Sequence, residues 1–173
     1  GTMNIPLLDL VAAQCVFANN GVYTKPTMVE RIEDKNGNVI YSADQVTNQV
    51  VNSSVAYEVL KLMKGVIQRG TGASLRYSSN AWGGITYPTA GKTGTTQGNA
   101  VGLFMGLTPD LVTGVSTAGL NKNIAFEYTS DGQGARMALP VYGYYMQKIY
   151  ADEGLKISKG DFKKPLDYIP ERF

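Results

Sequence analysis

Three strand-like segments follow one another between residues 89 and 119, with connections too short to hold a helix. They cover residues 89–96, 101–107 and 111–119, and the last two are joined by the turn signal Thr108-Pro109-Asp110. Parallel neighbours need a crossover of about a dozen residues or more, so connections this short allow only an antiparallel sheet. In the middle segment the alternation Val101, Leu103, Met105, Leu107 puts the large side chains on one face. Gly102 and Gly106 fall on the other, where a helix or a second backbone can approach closely.

Helical periodicity surrounds this sheet. Leu7, Leu8, Val11, Cys15 and Val16 recur at three- and four-residue steps, which predicts a helix over 6–20 with one buried face, Asn4 as cap, Pro6 in the first turn and Gly21 at the stop. Val55, Val59, Leu62, Met63, Val66 and Ile67 predict a second helix over 53–68, ending at Gly70. A third is expected over 135–150, with Met137, Leu139, Val141, Tyr145, Met146 and Ile149 covering the sheet and Pro140 marking its first full turn or a kink. Residues 27–33 and 38–41 flank Asn36-Gly37, the dipeptide of tight hairpin turns, and a surface β-hairpin is expected there. The stretch 70–88, glycine-containing and without a period, reads as a loop that folds against something outside this sequence. The expected fold class is therefore α+β: an antiparallel sheet packed with helices, plus a small β-hairpin. At 173 residues the chain is about one domain. Residues 1–150 form its body and residues 151–173, with Pro165 and Pro170, an irregular tail. Three strands make a thin sheet for this length, so its edge is expected to be incomplete.

Composition removes several chemistries. There is no histidine, so these residues cannot build a Ser-His-Asp triad, a Cys-His pair or a His-ligated zinc site. The single Cys15 allows no internal disulfide and no thiolate cluster, and it reads as a buried small hydrophobe. No metal or cofactor is expected. Sixteen basic against fourteen acidic residues lack the concentrated excess of a nucleic-acid binder. No stretch approaches the eighteen or so apolar residues of a membrane span.

The densest polar motif is Ala90-Gly91-Lys92-Thr93-Gly94-Thr95-Thr96. As a phosphate loop it would need a glycine where Thr86 stands and a helix starting at the lysine, whereas the β-branched pair Thr95-Thr96 continues a strand. As a K-T-G box on an edge strand, its residue types have a rationale. The lysine supplies positive charge toward a substrate carboxylate, the threonine hydroxyls donate hydrogen bonds to it, and the glycine lets substrate lie against the strand. Backbone N–H groups on the same edge can complete an oxyanion hole.

The flanks extend the match. Phe17-Ala18-Asn19-Asn20-Gly21-Val22-Tyr23 with Lys25-Pro26, then Gly70-Thr71-Gly72-Ala73, then the box itself, then Phe104-Met105-Gly106 and Leu111-Val112-Thr113-Gly114-Val115 resemble the back half of the transpeptidase domain of penicillin-binding proteins. The landmarks keep the family's order across residues 1–150, and among subgroups the sequence is most similar to the class A, bifunctional members. The resemblance implies part of the fold shared by penicillin-binding proteins and β-lactamases. It implies a D-alanyl-D-alanine transpeptidase that cross-links peptidoglycan stem peptides through a serine acyl-enzyme and is acylated by β-lactams. Carried onto this sequence it gives Lys92 a catalytic role and makes Thr93, Gly94, Thr95 and, less directly, Thr96 substrate-binding, with Thr95 also lending a backbone N–H to the oxyanion hole. It further implies an extracytoplasmic location, with the parent anchored by an N-terminal membrane segment not in this chain.

One departure is large. No serine from Ser42 to Ser158 is followed by lysine at the third position, so the family's S-x-x-K is absent. Ser78-Ser79-Asn80 matches the S-x-N box but lies only fourteen residues before Lys92, and is read as accidental. The expectation is a C-terminal portion of the domain, truncated by design or by proteolysis, whose partners are the missing N-terminal part and, through the complete domain, stem peptide or β-lactam. It would be silent alone. The rival is a non-enzymatic module that uses the half fold to bind wall peptide or a partner protein. Trp82, Tyr87, Tyr142, Tyr144 and Tyr145 are read as packing or surface residues. Lys159, Lys163 and Lys164 read as solvated surface.

Overall fold

The structure, a computed structural model, describes residues 4–121 and 123–170. Its centre is an antiparallel three-stranded sheet of β5 (Ala90–Thr95), β6 (Val101–Leu107) and β7 (Val112–Ala118), in the order β5-β6-β7. Register pairs Gly91 with Gly106, Thr93 with Phe104 and Thr95 with Gly102. The predicted strands are present, each within a residue or so of its expected ends.

The glycine face of β6 receives a helix, α4 (Gly134–Ala151), preceded by the single turn α3 (Thr129–Gly132). A Cβ at Gly102 would meet Met137 Cβ at 3.1 Å, and one at Gly106 would meet the Tyr142 hydroxyl at 2.6 Å. Small residues on the strand thus let α4 lie close, and Ala138, Leu139, Tyr142 and Met146 are buried there with Phe104. Val141 and Tyr145, expected on the covering face, are 49% and 40% exposed. Pro140 lies inside α4, at its seventh residue, beyond the first turn.

The first helix, α1 (Leu7–Ala18), starts after Pro6, which rather than Asn4 occupies the cap. It differs from expectation in its faces. Only Asp9 and Gln14 are polar among its twelve residues, yet just Ala12 and Val16 are buried, while Leu7 and Leu8 are 37% and 48% exposed. A helix apolar nearly all round is the kind found inside larger cores. Cys15 is half-buried rather than buried, and burial pushes its thiol pKa up. It lines a groove of about 300 Å³ with Leu8, Val11 and Ala12.

After α1 the chain reverses through Asn20 and Gly21, both at positive φ, and a two-stranded sheet, β1 (Val22–Thr24) with β4 (Thr47–Gln49), follows. Sequence periodicity did not show this pair. Between its strands stands the hairpin β2 (Arg31–Glu33) and β3 (Val39–Ser42). Its turn is longer than a two-residue type: Asp34 accepts from the backbone N–H of Asn36 and Asn38, and of the Asn36-Gly37 pair only Gly37 has positive φ.

The second helix, α2 (Ser53–Arg69), is capped by the Asn52 side chain, which accepts from Ser54 N. Its buried face is Ala56, Leu60, Met63 and Ile67, whereas Leu62 is 74% exposed. Leu60 and Met63 pack with Ala90 and Leu107, and Ile67 packs with Phe104. The stretch after α2 is not a loop awaiting a partner. It forms a 3-10 turn, Ala73–Arg76, and Leu75, Trp82 and Ile85 belong to the same buried cluster as α4. Its aperiodic sequence hid three core residues.

The tail carries one 3-10 turn, Glu153–Leu155, and no other regular element up to residue 170, but it packs along α2. Phe162 is buried with Leu60 and Met63, Lys64 bonds Asp161 at 2.6 Å, and Tyr168 donates to Glu58. No helix of the described residues is long and apolar enough to cross a membrane.

Candidate functional site

Strand β5 is an edge of its sheet. Thr96 N donates to Val101 O at 3.0 Å, which makes 96 and 101 a hydrogen-bonded pair. Counting back by twos, Gly94 with Leu103 and Lys92 with Met105 also bond across the ladder. The N–H and C=O groups of Gly91, Thr93 and Thr95 therefore face the free edge. Packing by α2 accounts for the start of the strand, where Ala90 and Gly91 are buried, while Lys92 is exposed and Thr93, Gly94 and Thr95 are half-buried.

Side chains along the strand alternate. Gly91, Thr93 and Thr95 share the face toward α4, and Lys92 and Gly94 share the opposite face with Met105 and Leu103. Lys92 Nζ bends back to donate to Thr93 O at 2.6 Å. The Thr93 hydroxyl lies 2.7 Å from the hydroxyl of Thr71. The Thr95 hydroxyl accepts from Gly134 N at 3.2 Å, leaving its own proton uncommitted. The Thr96 hydroxyl is engaged with Val101, accepting from its N at 3.0 Å, and closes the turn into β6.

So Lys92, Thr93, Gly94 and Thr95 stand together on one accessible edge. The edge offers a cation, hydroxyl donors and outward N–H groups, which suit a carboxylate and a developing oxyanion. None of these four residues is a serine or a cysteine. Of the Ser78-Ser79-Asn80 triplet, Asn80 donates to Ser74 O at 2.6 Å and holds its own loop. Among the described residues no three Cys, Asp or Glu side chains converge as a metal site. Trp82 donates to Leu75 O from a buried position, and Tyr87 packs on Tyr150 with ring centroids 4.5 Å apart. Tyr142 is buried, while Tyr144 is 46% exposed.

Two participants were not named as site residues from sequence. Thr71 sits in the quoted Gly70-Thr71-Gly72-Ala73 landmark, where a β-branched residue between glycines was the available signal. Gly134 gave none, since a backbone N–H carries no side-chain signature.

Sequence and fold comparisons agree on the class. The model of the penicillin binding protein transpeptidase domain matches residues 1–136, and the chain belongs to that family. Penicillin-binding protein 1A of Clostridium acetobutylicum is 36% identical over 101 residues, 58% of this chain and 12% of that protein. The same protein of Aquifex aeolicus is 29% identical over 160 residues, 91% of this chain and 21% of its own length. Among solved structures, penicillin-binding protein 1A of Haemophilus influenzae superposes with a TM-score of 0.73 at 20% identity, covering 86% of this chain and 27% of that one. PonA1 of Mycobacterium tuberculosis gives 0.71 at 23%, covering 94% and 41%. Both curated relatives are penicillin-binding protein 1A. This chain spans only about a fifth or less of their length.

Proposed function

We propose that these residues supply the ligand-binding strand of a D-alanyl-D-alanine transpeptidase, and that the attacking serine and its base lie in sequence outside the 173 residues. In the reaction envisaged, a serine Oγ–carbonyl bond forms as the amide bond to the terminal D-alanine breaks, and the serine proton passes to the leaving amine. An amine of a second stem peptide then bonds the acyl carbonyl as the serine ester breaks, and the amine's proton returns to the serine oxygen. Thr95 N–H, facing the open edge, would stabilise the oxyanion, while Lys92 with the Thr93 and Thr95 hydroxyls would hold the ligand carboxylate. Thr96, occupied by Val101, stays outside the ligand set.

The observation that carries this reading is the orientation of β5: Thr93 and Thr95 turn their backbone groups outward on an unpaired edge beside an exposed lysine. The missing S-x-x-K, the exposed apolar sides of α1 and the small share of the relatives' length all fit a chain that works as one part of a larger domain. By family, the whole protein would act outside the cytoplasm on peptidoglycan, held by a membrane segment of its own.

The test is Lys92→Ala in the complete transpeptidase that contains this chain. Acylation by penicillin should fall tenfold to roughly a hundredfold, as expected for loss of a charge-assisted hydrogen bond, with the melting temperature unchanged. An unaltered acylation rate would rule out the role given to β5.

A further inference from the structure

We propose that Thr71 is a positioning residue that aims the Thr93 hydroxyl proton at the ligand carboxylate; this rests on the reading of β5 given above. The two Oγ1 atoms are 2.7 Å apart, and either can be the donor. Each hydroxyl has one proton and can accept as well. When a carboxylate takes the Thr93 proton, the Thr93 oxygen is left to accept, and Thr71 is the donor within reach. The result is a two-hydroxyl chain ending on the ligand, in which each hydrogen bond polarises the next.

The link carrying Thr71 is built to hold that position. Gly70 N and Gly72 N converge on the same carbonyl, Val66 O, at 3.1 and 3.0 Å. Ala73 N then bonds Gly70 O at 3.1 Å, and Leu75, fully buried, anchors the far side. Both flanking glycines are pressed against α2: a Cβ at Gly70 would lie 2.8 Å from Val66 Cα, and one at Gly72 would lie 2.8 Å from Ile67 Cδ1. The link delivers one exposed hydroxyl to the ligand strand, at the residue between the cation Lys92 and the glycine Gly94.

Thr93 is poorly placed to orient itself. Its carbonyl is taken by Lys92 Nζ at 2.6 Å, its N–H faces the open edge, and its hydroxyl hydrogen-bonds with the hydroxyl of Thr71. Thr71 sets the direction of that hydroxyl, and Lys92 supplies the charge.

The experiment compares Thr71→Val and Thr71→Ser in the complete transpeptidase, using penicillin and its methyl ester. The valine variant should acylate about tenfold more slowly with the free acid, the loss of roughly one hydrogen bond, and at the wild-type rate with the ester. The serine variant should recover to within about twofold with the acid. Equal rates for valine variant and wild type would overturn the proposal, as would equal losses on acid and ester, which mark a structural defect. Thr71→Ala, read in the same assay, covers the case where valine is not accommodated. If the wild-type protein itself is not acylated, the reading of β5 fails and the role of Thr71 falls with it.

Discussion

Gly134 N donates to Thr95 Oγ1 at 3.2 Å, tying the first residue of α4 to the edge strand. Because the hydroxyl accepts this bond, its proton remains available to a ligand. The contact is possible only without a side chain at 134, since a Cβ there would fall onto the carbonyl oxygens of Leu103 and Gly94. Both are backbone atoms of the central sheet and cannot give way. Gly134→Ala should therefore cost about 2 kcal/mol or more, overpacking outweighing the better helix propensity of alanine. Gly65→Ala, in the interior of α2 with nothing within 4 Å of the added methyl, is the control and should gain about 0.5–1 kcal/mol. Urea midpoints of the two variants should move in opposite directions.

Tyr142 packs its ring on Gly106 and buries its hydroxyl without a hydrogen-bond partner among the described residues. Tyr142→Phe removes that unpaired group and should leave stability unchanged or raise it by up to about 1–2 kcal/mol. Gly106→Ala should be strongly destabilising in either background, because ring carbons as well as the hydroxyl crowd the new methyl. Burial also holds the Tyr142 pKa far above its ordinary value and pushes that of Tyr150 up to about 12. In the unfolded chain both ionise near 10.0. The contribution of these two tyrosines is then full below pH 10 and declines as pH rises through the folded value of Tyr150, since the unfolded state loses its protons first. Thermal melts between pH 9 and 12 should show this decline, less steeply in Tyr142→Phe.

The tail is fastened by Asp161. Burial pushes its carboxyl up, but the Lys64 ammonium and the Phe162 N–H outweigh that and leave it below the ordinary value of 3.8. A depressed carboxylate stabilises above the unfolded value and loses that contribution as pH falls through the folded one. Asp161→Asn should therefore melt lower than wild type at neutral pH, with the gap closing below about pH 4. Limited proteolysis of residues 156–170 should follow the same dependence. A gap independent of pH would detach the tail's anchoring from this ion pair.

Much of the sheet was legible because its signals were local. Alternation over 101–107 and the turn at Thr108-Pro109-Asp110 needed no distant partner, and the empty sites at Gly102 and Gly106 foretold the approach of α4. What failed depended on contacts far along the chain. Leu75, Trp82 and Ile85 have no common period, so their burial together could not be read from spacing. Strands β1 and β4 are three residues each and pair across an inserted hairpin. Leu62 matched the helical period of α2, but the side that α2 presents to Ala90 and Leu107 is set by Leu60 and Met63. At the candidate site, Lys92 to Thr95 were singled out by residue type, and they follow one another along the edge strand. Gly134 and the bond between Thr71 and Thr93 exist only once the chain is folded.

The most direct measurement is to expose the isolated 173-residue chain and the complete transpeptidase to fluorescent penicillin, then map the adduct by peptide mass spectrometry. Covalent label is expected on the complete protein alone, on a serine outside residues 1–173. Stable label on the isolated chain, or an adduct on any serine from Ser42 to Ser158, would contradict this.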